Sequence, residues 1–169
     1  VAKSVDTTAI NAYVTGFGSS HRIVLWDTLL KKLDADEVVA VMAHEIGHYA
    51  LGHILTGILF AALASFAGFY AAYRLAGWFH GRYGSRFRLA SLADPATIPL
   101  WALVGSLVGF AGQPAGLAFS RYQEHEADRF ALEMTRDNRA VAGAFVKLQR
   151  ENLTYPFPER WVVLLRSSH

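Results

Sequence analysis

The chain has 169 residues and a formal charge of +2, with a sequence pI near 9.0; this is the length of one domain, and the charge is too mild to imply nucleic acid as a partner. Cysteine is absent, which excludes disulfides and thiolate ligands, so any metal must be held by His, Asp or Glu. Hydrophobic residues make up 53% and charged residues 18%, against roughly 45–50% and about 25% in an average soluble domain, a shift toward membrane proteins.

The opening residues VAKSVDTTAI contain neither an initiator Met nor an apolar core flanked by basic residues, so no signal peptide is expected and the chain reads as a piece of a longer protein. Residues 9–30 hold two runs rich in Val, Ile, Tyr and Trp around GFGSS, the pattern of a β-hairpin. Asp34 followed by Glu37 is a capping-box signature ahead of an apolar run, so a helix is expected from Ala35. No proline interrupts it before Pro95, and Ile54 to Tyr73 carries no charge, about the 20 residues that a transmembrane helix needs. One continuous helix over 35–76 would be about 60 Å long, twice a ~30 Å hydrocarbon core, so half of it must lie outside lipid or in a wet cavity.

A second uncharged stretch, 95–120, reads as a second span in which Pro114 and Gly116 kink or open the helix. Both stretches could instead be buried helices of a soluble bundle, but their length favours membrane spans. Basic residues at the inner loop (Arg74, Arg82, Arg86, Arg88) nearly balance those at the outer ends, which leaves the orientation open. Residues 121–155 then resume a charged helical pattern, SRYQEHEADRFALEMTRD, followed by the amphipathic AVAGAFVKLQREN.

HEIGH, His44 to His48, is an H-E-x-x-H match on a segment already expected to be helical. At 100° per residue the two imidazoles lie within about 40° of each other on one face, where both can hold one zinc ion. Glu45, one position round, is placed to take a proton from a water that zinc acidifies toward a pKa of ~7 and to pass it to the leaving amine. Two histidines and a glutamate leading into an apolar span would be costly without a metal or partner. His53 lies nine positions after His44, half a turn round a continuous helix, so a hydrogen-bonded or interfacial role is expected for it in place of ligation. A hydrolytic zinc site usually takes three protein ligands. The acidic cluster QEHEAD offers Glu124 and Asp128 at i, i+4 on one helix face, with Glu126 turned away. Glu124 is expected as the third ligand, and Asp128 as acceptor of the spare N–H of a ligating histidine. The competing reading is a solvated face with pairs such as Glu124 and Arg121; His125 is expected at the surface or beside the site.

NAYVTGFGSSHRIVLWDTLL, AHEIGHYALGH and SRYQEHEAD, in this order and with two apolar stretches between the last two, resemble the type I CAAX prenyl proteases, the a-factor-converting family of integral-membrane zinc endopeptidases. The resemblance covers most of Asn11 to Asp128. It implies one zinc ion per chain on His44, His48 and Glu124, with Glu45 as catalytic glutamate. It also places Asn11 near substrate, whereas composition alone would make Asn11 a turn or strand-edge residue. Arg166 to His169 resemble the start of a family segment whose histidine approaches the active site, which gives His169 a role in polarising the scissile carbonyl. Family members carry about seven membrane helices, of which two are visible here.

The expected fold is therefore mostly α and integral to a membrane, the bacterial inner membrane or the endoplasmic reticulum. A long H-E-x-x-H helix continues into one span, a second span follows, and a small β-hairpin lies near the active site; the chain, 1–169, is a single catalytic core. The expected partners are membrane lipid and peptide or protein substrates, isoprenylated in the family, whose C-terminal tripeptide is removed. An HtpX-like protease of misfolded membrane proteins and an inactive relative that binds prenylated or membrane partners are the alternatives. A pure binder has no evident need for Glu45.

Overall fold

The computed structural model describes Val1 and residues 9–15, 22–153 and 159–165. In chain order the elements are β1 (Ala12–Thr15), β2 (Arg22–Leu25), α1 (Asp27–Lys32), α2 (Ala35–Ala50), α3 (His53–Tyr83), a 3-10 turn (Pro95–Thr97), α4 (Ile98–Thr135), α5 (Asn138–Glu151) and α6 (Arg160–Leu165). They form two compact units, Val1–Ile54 with Phe119–His169, and Leu55–Ala118.

In the first unit β1 and β2 pair antiparallel, Ala12 opposite Leu25 and Thr15 opposite Arg22. The expected GFGSS turn lies outside the described residues. The Trp26 N–H extends the pairing to the Asn11 carbonyl at 3.1 Å. Helix α2 starts at Ala35, where the Asp34 N–H donates to Glu37 Oε2 at 2.9 Å, so an otherwise orphaned end is closed by its own sequence. Glu37 is buried and also accepts from Lys147 Nζ of α5 at 2.7 Å, while the same Nζ reaches Asp34 Oδ2 at 3.2 Å. These ionic contacts hold Lys147 above the usual lysine range, the hydrogen bond with Glu37 being the largest cause. Beneath them Ile10, Leu29, Leu33, Val41 and Ala144 form one apolar cluster, and Ala40, Ala140 and Val141 a second. Both draw on α2 and α5, so α5 is the lid of the H-E-x-x-H helix.

The expected continuous helix over 35–76 is broken. Helix α2 ends at Ala50, and Gly52 adopts φ +69°, the left-handed conformation that stops a helix. A Cβ at Gly52 would meet nothing within 4 Å, so glycine is needed there for its backbone alone. Helix α3 begins at His53.

The second unit contains most of α3 and the first half of α4. Leu63, Phe66 and Phe69 of α3 are 70%, 75% and 76% exposed, the reverse of a soluble bundle helix, which buries its apolar stripe. Two helices, His53–Tyr83 and Pro95–Thr135, are long and apolar enough to cross a membrane. The connection between them is tied by its own polar groups: Thr97 Oγ1 donates to the Asp94 carbonyl at 2.6 Å and Trp101 Nε1 to the Leu92 carbonyl at 3.2 Å. The expected boundary at Ser120 is absent. Helix α4 runs unbroken through Pro114 to Thr135, so the apolar stretch and the QEHEAD cluster share one helix and Pro114 does not end it.

Within the first unit α4 passes close against α2 at Gly47. A Cβ on Gly47 would lie 3.1 Å from Phe130 Cβ and 3.3 Å from Ala127 Cα, the second of which is backbone and cannot swing aside. Ala127 and Ala131 are fully buried, so small residues line this crossing. Gly47→Ala is therefore expected to destabilise the intact protein by about 1–3 kcal/mol, as overpacking does. Gly57→Ala, where a Cβ meets nothing within 4 Å, should be neutral or stabilising through helix propensity. Thermal unfolding midpoints in detergent measure both; equal shifts would contradict the crossing.

Candidate metal centre

Three ligand-type side chains converge where α2 and α4 cross. His44 Nε2 and His48 Nε2 are 3.1 Å apart, and the Glu124 carboxylate approaches them at 3.5 Å and 3.8 Å respectively. Donors bound tetrahedrally at ~2.0–2.2 Å lie roughly 3.3–3.6 Å from one another. The separations, 3.1 Å between the imidazoles and 3.5 Å and 3.8 Å to the two different Glu124 oxygens, lie close to that spacing, and two imidazoles with one carboxylate are a donor set that zinc accepts. One donor atom from each residue falls within 4.8 Å of the others. His44 is buried, and His48 and Glu124 are partly buried.

The ring nitrogens on the far side are engaged. His44 Nδ1 lies 2.8 Å from Asp128 Oδ1; an ionised carboxylate can only accept, so Nδ1 carries the proton and donates it. His48 Nδ1 lies 2.9 Å from His53 Nδ1. The break at Gly52 turns His53 back toward His48, so it is hydrogen-bonded as expected, although the half-turn placement on a continuous helix does not hold. Phe145 of α5 packs edge-on against His44, ring centroids 5.7 Å apart. Sequence reasoning gave α5 no part in the site.

These contacts shift the pKa values of the two imidazoles in opposite directions. Burial alone would lower the His44 pKa, but hydrogen bonds to Asp128 and Glu124 and their negative charge outweigh it and raise the pKa from 6.5 to about 9. His48 is pushed below the usual histidine value, first by burial and then by the charge on His44. His44 is thus the more readily protonated of the two imidazoles.

Glu45, partly buried, lines a cavity of about 610 Å³ beside the cluster, together with Asn11, Glu124, Asp128, Phe145 and Gln149. Asn11 is held in place through its neighbour: the Asn152 side chain accepts from Ile10 N–H and donates to the Ile10 carbonyl, both at 3.2 Å. Glu126 points away and pairs with Arg129 at 3.7 Å. His125 is exposed at the cavity rim. Arg121, another lining residue, donates to the Val163 carbonyl of α6 at 2.9 Å. His169 lies outside the described residues.

The model of peptidase family M48 matches residues 1–169. The chain belongs to peptidase family M48. It is 41% identical over its whole length to the uncharacterized metalloprotease YhfN of Bacillus subtilis (strain 168), of which it covers 40%. It is 31% identical over 159 residues to CAAX prenyl protease 1 of Saccharomyces cerevisiae, covering 85% of this chain and 35% of that protein. A Protease HtpX homolog of Paraburkholderia phytofirmans is 30% identical over 155 residues, covering 91% of this chain and 51% of that protein. The crystal structure of S. mikatae Ste24p superposes with a TM-score of 0.70 at 27% identity, covering 96% of this chain and 40% of that one. This M48 chain thus spans about 40% of the length of the first of these relatives.

The raised His44 pKa has a measurable consequence. With a pKa moved from 6.5 to about 9, the ionic contact stabilises the metal-free fold fully below pH ~6.5, and that contribution is lost as pH rises through ~9. A metal that takes His44 Nε2 must displace the proton there, so binding at pH 7 should release about one proton, falling toward none above pH ~9. Calorimetric zinc titrations in buffers of differing ionisation enthalpy read the number directly. A binding heat independent of buffer at pH 7 would contradict the assignment.

Proposed function

We propose that this M48 chain carries the active site of a membrane-embedded zinc metalloendopeptidase. The observation that carries the reading is the convergence of His44 Nε2, His48 Nε2 and the Glu124 carboxylate at 3.1–3.8 Å beside Glu45 in one cavity. His44, His48 and Glu124 would hold the metal. Zinc supplies Lewis acidity toward a carbonyl oxygen and acidifies a neighbouring water. Glu45 accepts the proton of the attacking water and delivers it to the departing amine. Asp128 holds His44 by its Nδ1–H, which fixes the tautomer and makes Nε2 the better donor. Asn11, just before β1 and pinned by Asn152 through Ile10, binds the substrate backbone as it lies extended in the cavity, by side-chain or strand-edge contacts. The resemblance of Arg166 to His169 to a family segment supports an oxyanion role for His169. Residues 1–169 act as one catalytic core, with 9–30 at the substrate, and the two long apolar helices embed the protein in a membrane.

The substrate class we favour is the C-terminal peptide of isoprenylated CAAX proteins, supported by the relatives named CAAX prenyl protease 1 and by the Ste24p fold. The Protease HtpX homolog, at 30% identity, supports a second reading, cleavage of unmodified membrane proteins. Digestion of a farnesylated peptide against an unmodified membrane protein by the intact enzyme separates the two. Preference for the unmodified protein would overturn the first.

Within the site, Glu45→Gln should keep bound zinc while turnover falls by ~10²–10⁴-fold, the contribution of a general base. Glu124→Ala should lose the metal. Asp128→Ala should weaken zinc affinity by ~10–100-fold and recover at high metal. Metal content together with peptide cleavage distinguishes the three; loss of zinc in Glu45→Gln, or a more severe effect of Asp128→Ala than of Glu124→Ala, would overturn the roles.

A further inference from the structure

The two histidines of the metal centre are held by different partners. For His44 the partner is the Asp128 carboxylate. On His48 the corresponding nitrogen, Nδ1, meets the Nδ1 of His53 at 2.9 Å, the rings set edge to face at 73° with centroids 5.0 Å apart. Of two ring nitrogens at hydrogen-bond distance, one must carry the proton and the other must accept it. The other side of the His48 ring decides which. His48 Nε2 faces His44 Nε2 at 3.1 Å and Glu124 at 3.8 Å, the point where a lone pair is required for a ligand. A neutral His48 with its lone pair at Nε2 has its proton at Nδ1, so His48 donates and His53 accepts.

The surrounding structure holds His53 in place for this. On an unbroken helix a residue five positions after His48 would be turned about 140° from it. The left-handed Gly52, φ +69°, ends α2 and redirects the chain, so the His53 ring folds back onto His48. The backbone of His53 is then fixed from α4, where Gln123 Nε2 donates to the His53 carbonyl at 3.0 Å. Gln123 immediately precedes Glu124 in the sequence, so the segment that brings the third ligand also anchors the residue behind the second. His53 is 9% exposed, which leaves water little room to replace it as acceptor.

We infer that His53 is the positioning residue of His48: its Nδ1 accepts the His48 Nδ1–H and thereby keeps the His48 Nε2 lone pair on the point shared with His44 and Glu124. The inference rests on the metal-site reading above. Outer partners of this kind typically contribute ~10–100-fold to metal affinity.

The test is zinc affinity of the intact protein in detergent, measured by competition with a chromophoric chelator. His53→Phe keeps a ring in the pocket and removes the acceptor, and should weaken zinc binding by ~10–100-fold. His53→Asn places an amide oxygen near the former Nδ1 and should recover most of the loss, which a merely space-filling role would not allow. Should His53→Phe fail to fold, His53→Ala takes its place in the comparison. Affinity unchanged in His53→Phe, or His53→Asn as weak as His53→Phe, would overturn the inference. Zinc binding by the wild type that disappears in His44→Ala establishes the underlying site separately; a wild type that binds no zinc overturns both.

Discussion

The centre depends on one steric condition, the absence of a side chain at Gly47. Two imidazoles on α2 can face one point by helix geometry alone, but a third donor must come from another element, and a carboxylate reaches only a few ångströms from its backbone. Helix α4 comes close enough because Ala127 Cα passes where a residue-47 side chain would begin, 3.3 Å from an ideal Cβ. Residues 124 and 128 flank Ala127 on the same helix, so the crossing that Gly47 permits delivers Glu124 to the two Nε2 atoms and Asp128 to His44 Nδ1. The glycine inside HEIGH is thus as much a part of the site's construction as its charged neighbours.

The lid on the other side of α2 is built on different physics. Gly143 of α5 lies so near Glu37 that a Cβ there would come within 2.7 Å of Oε1. Glu37 is at once the capping partner of Asp34 and the acceptor for Lys147. A buried carboxylate is tolerated when it is paired and hydrogen-bonded, as Glu37 is through Oε2 to the Asp34 N–H and Lys147 Nζ. This cluster fixes the start of α2, and Phe145, two residues before Lys147 on α5, then packs against the His44 ring. The register of α5 on α2 couples a helix cap to the orientation of a side chain of the candidate metal centre.

Most of this was legible locally. The capping box placed the start of α2 at Ala35, the H-E-x-x-H spacing put both histidines on one face, and the i, i+4 spacing of Glu124 and Asp128 put both on one face with Glu126 away from it; each follows from helix periodicity and needs no tertiary knowledge. What was misread turns on where helices stop. Leu51-Gly52 carries the helix-ending signal of glycine just past the last turn, but the apolar run beyond it resembled continuation, and the break moved His53 from the far face to contact with His48. The reverse error occurred at Ser120, where the return of charge suggested a new element although α4 continues; a change of surroundings alters composition without altering backbone. The contributions of Phe145 and Gln149 from α5, and of Asn152 just beyond its end, were illegible, because they depend on which face α5 lays on α2, and that is set by packing between segments distant in sequence.

The difference between the two outer partners has a consequence for the chemistry the centre can support. Glu124, Asp128 and Glu45 already place three carboxylates around or beside the point where His44 and His48 converge. A divalent cation acidifies water through whatever positive charge its ligands leave uncompensated, and anionic partners diminish that charge. A second carboxylate behind His48 would fix its tautomer as well as His53 does, but would add a fourth negative charge. An imidazole acceptor supplies the orientation with no net charge. Asp128 behind the more buried histidine and His53 behind the less buried one divide the work accordingly: the carboxylate offsets the desolvation of His44, which is strong enough to depress an unpartnered imidazolium, and the neutral ring holds His48 where burial favours the uncharged form.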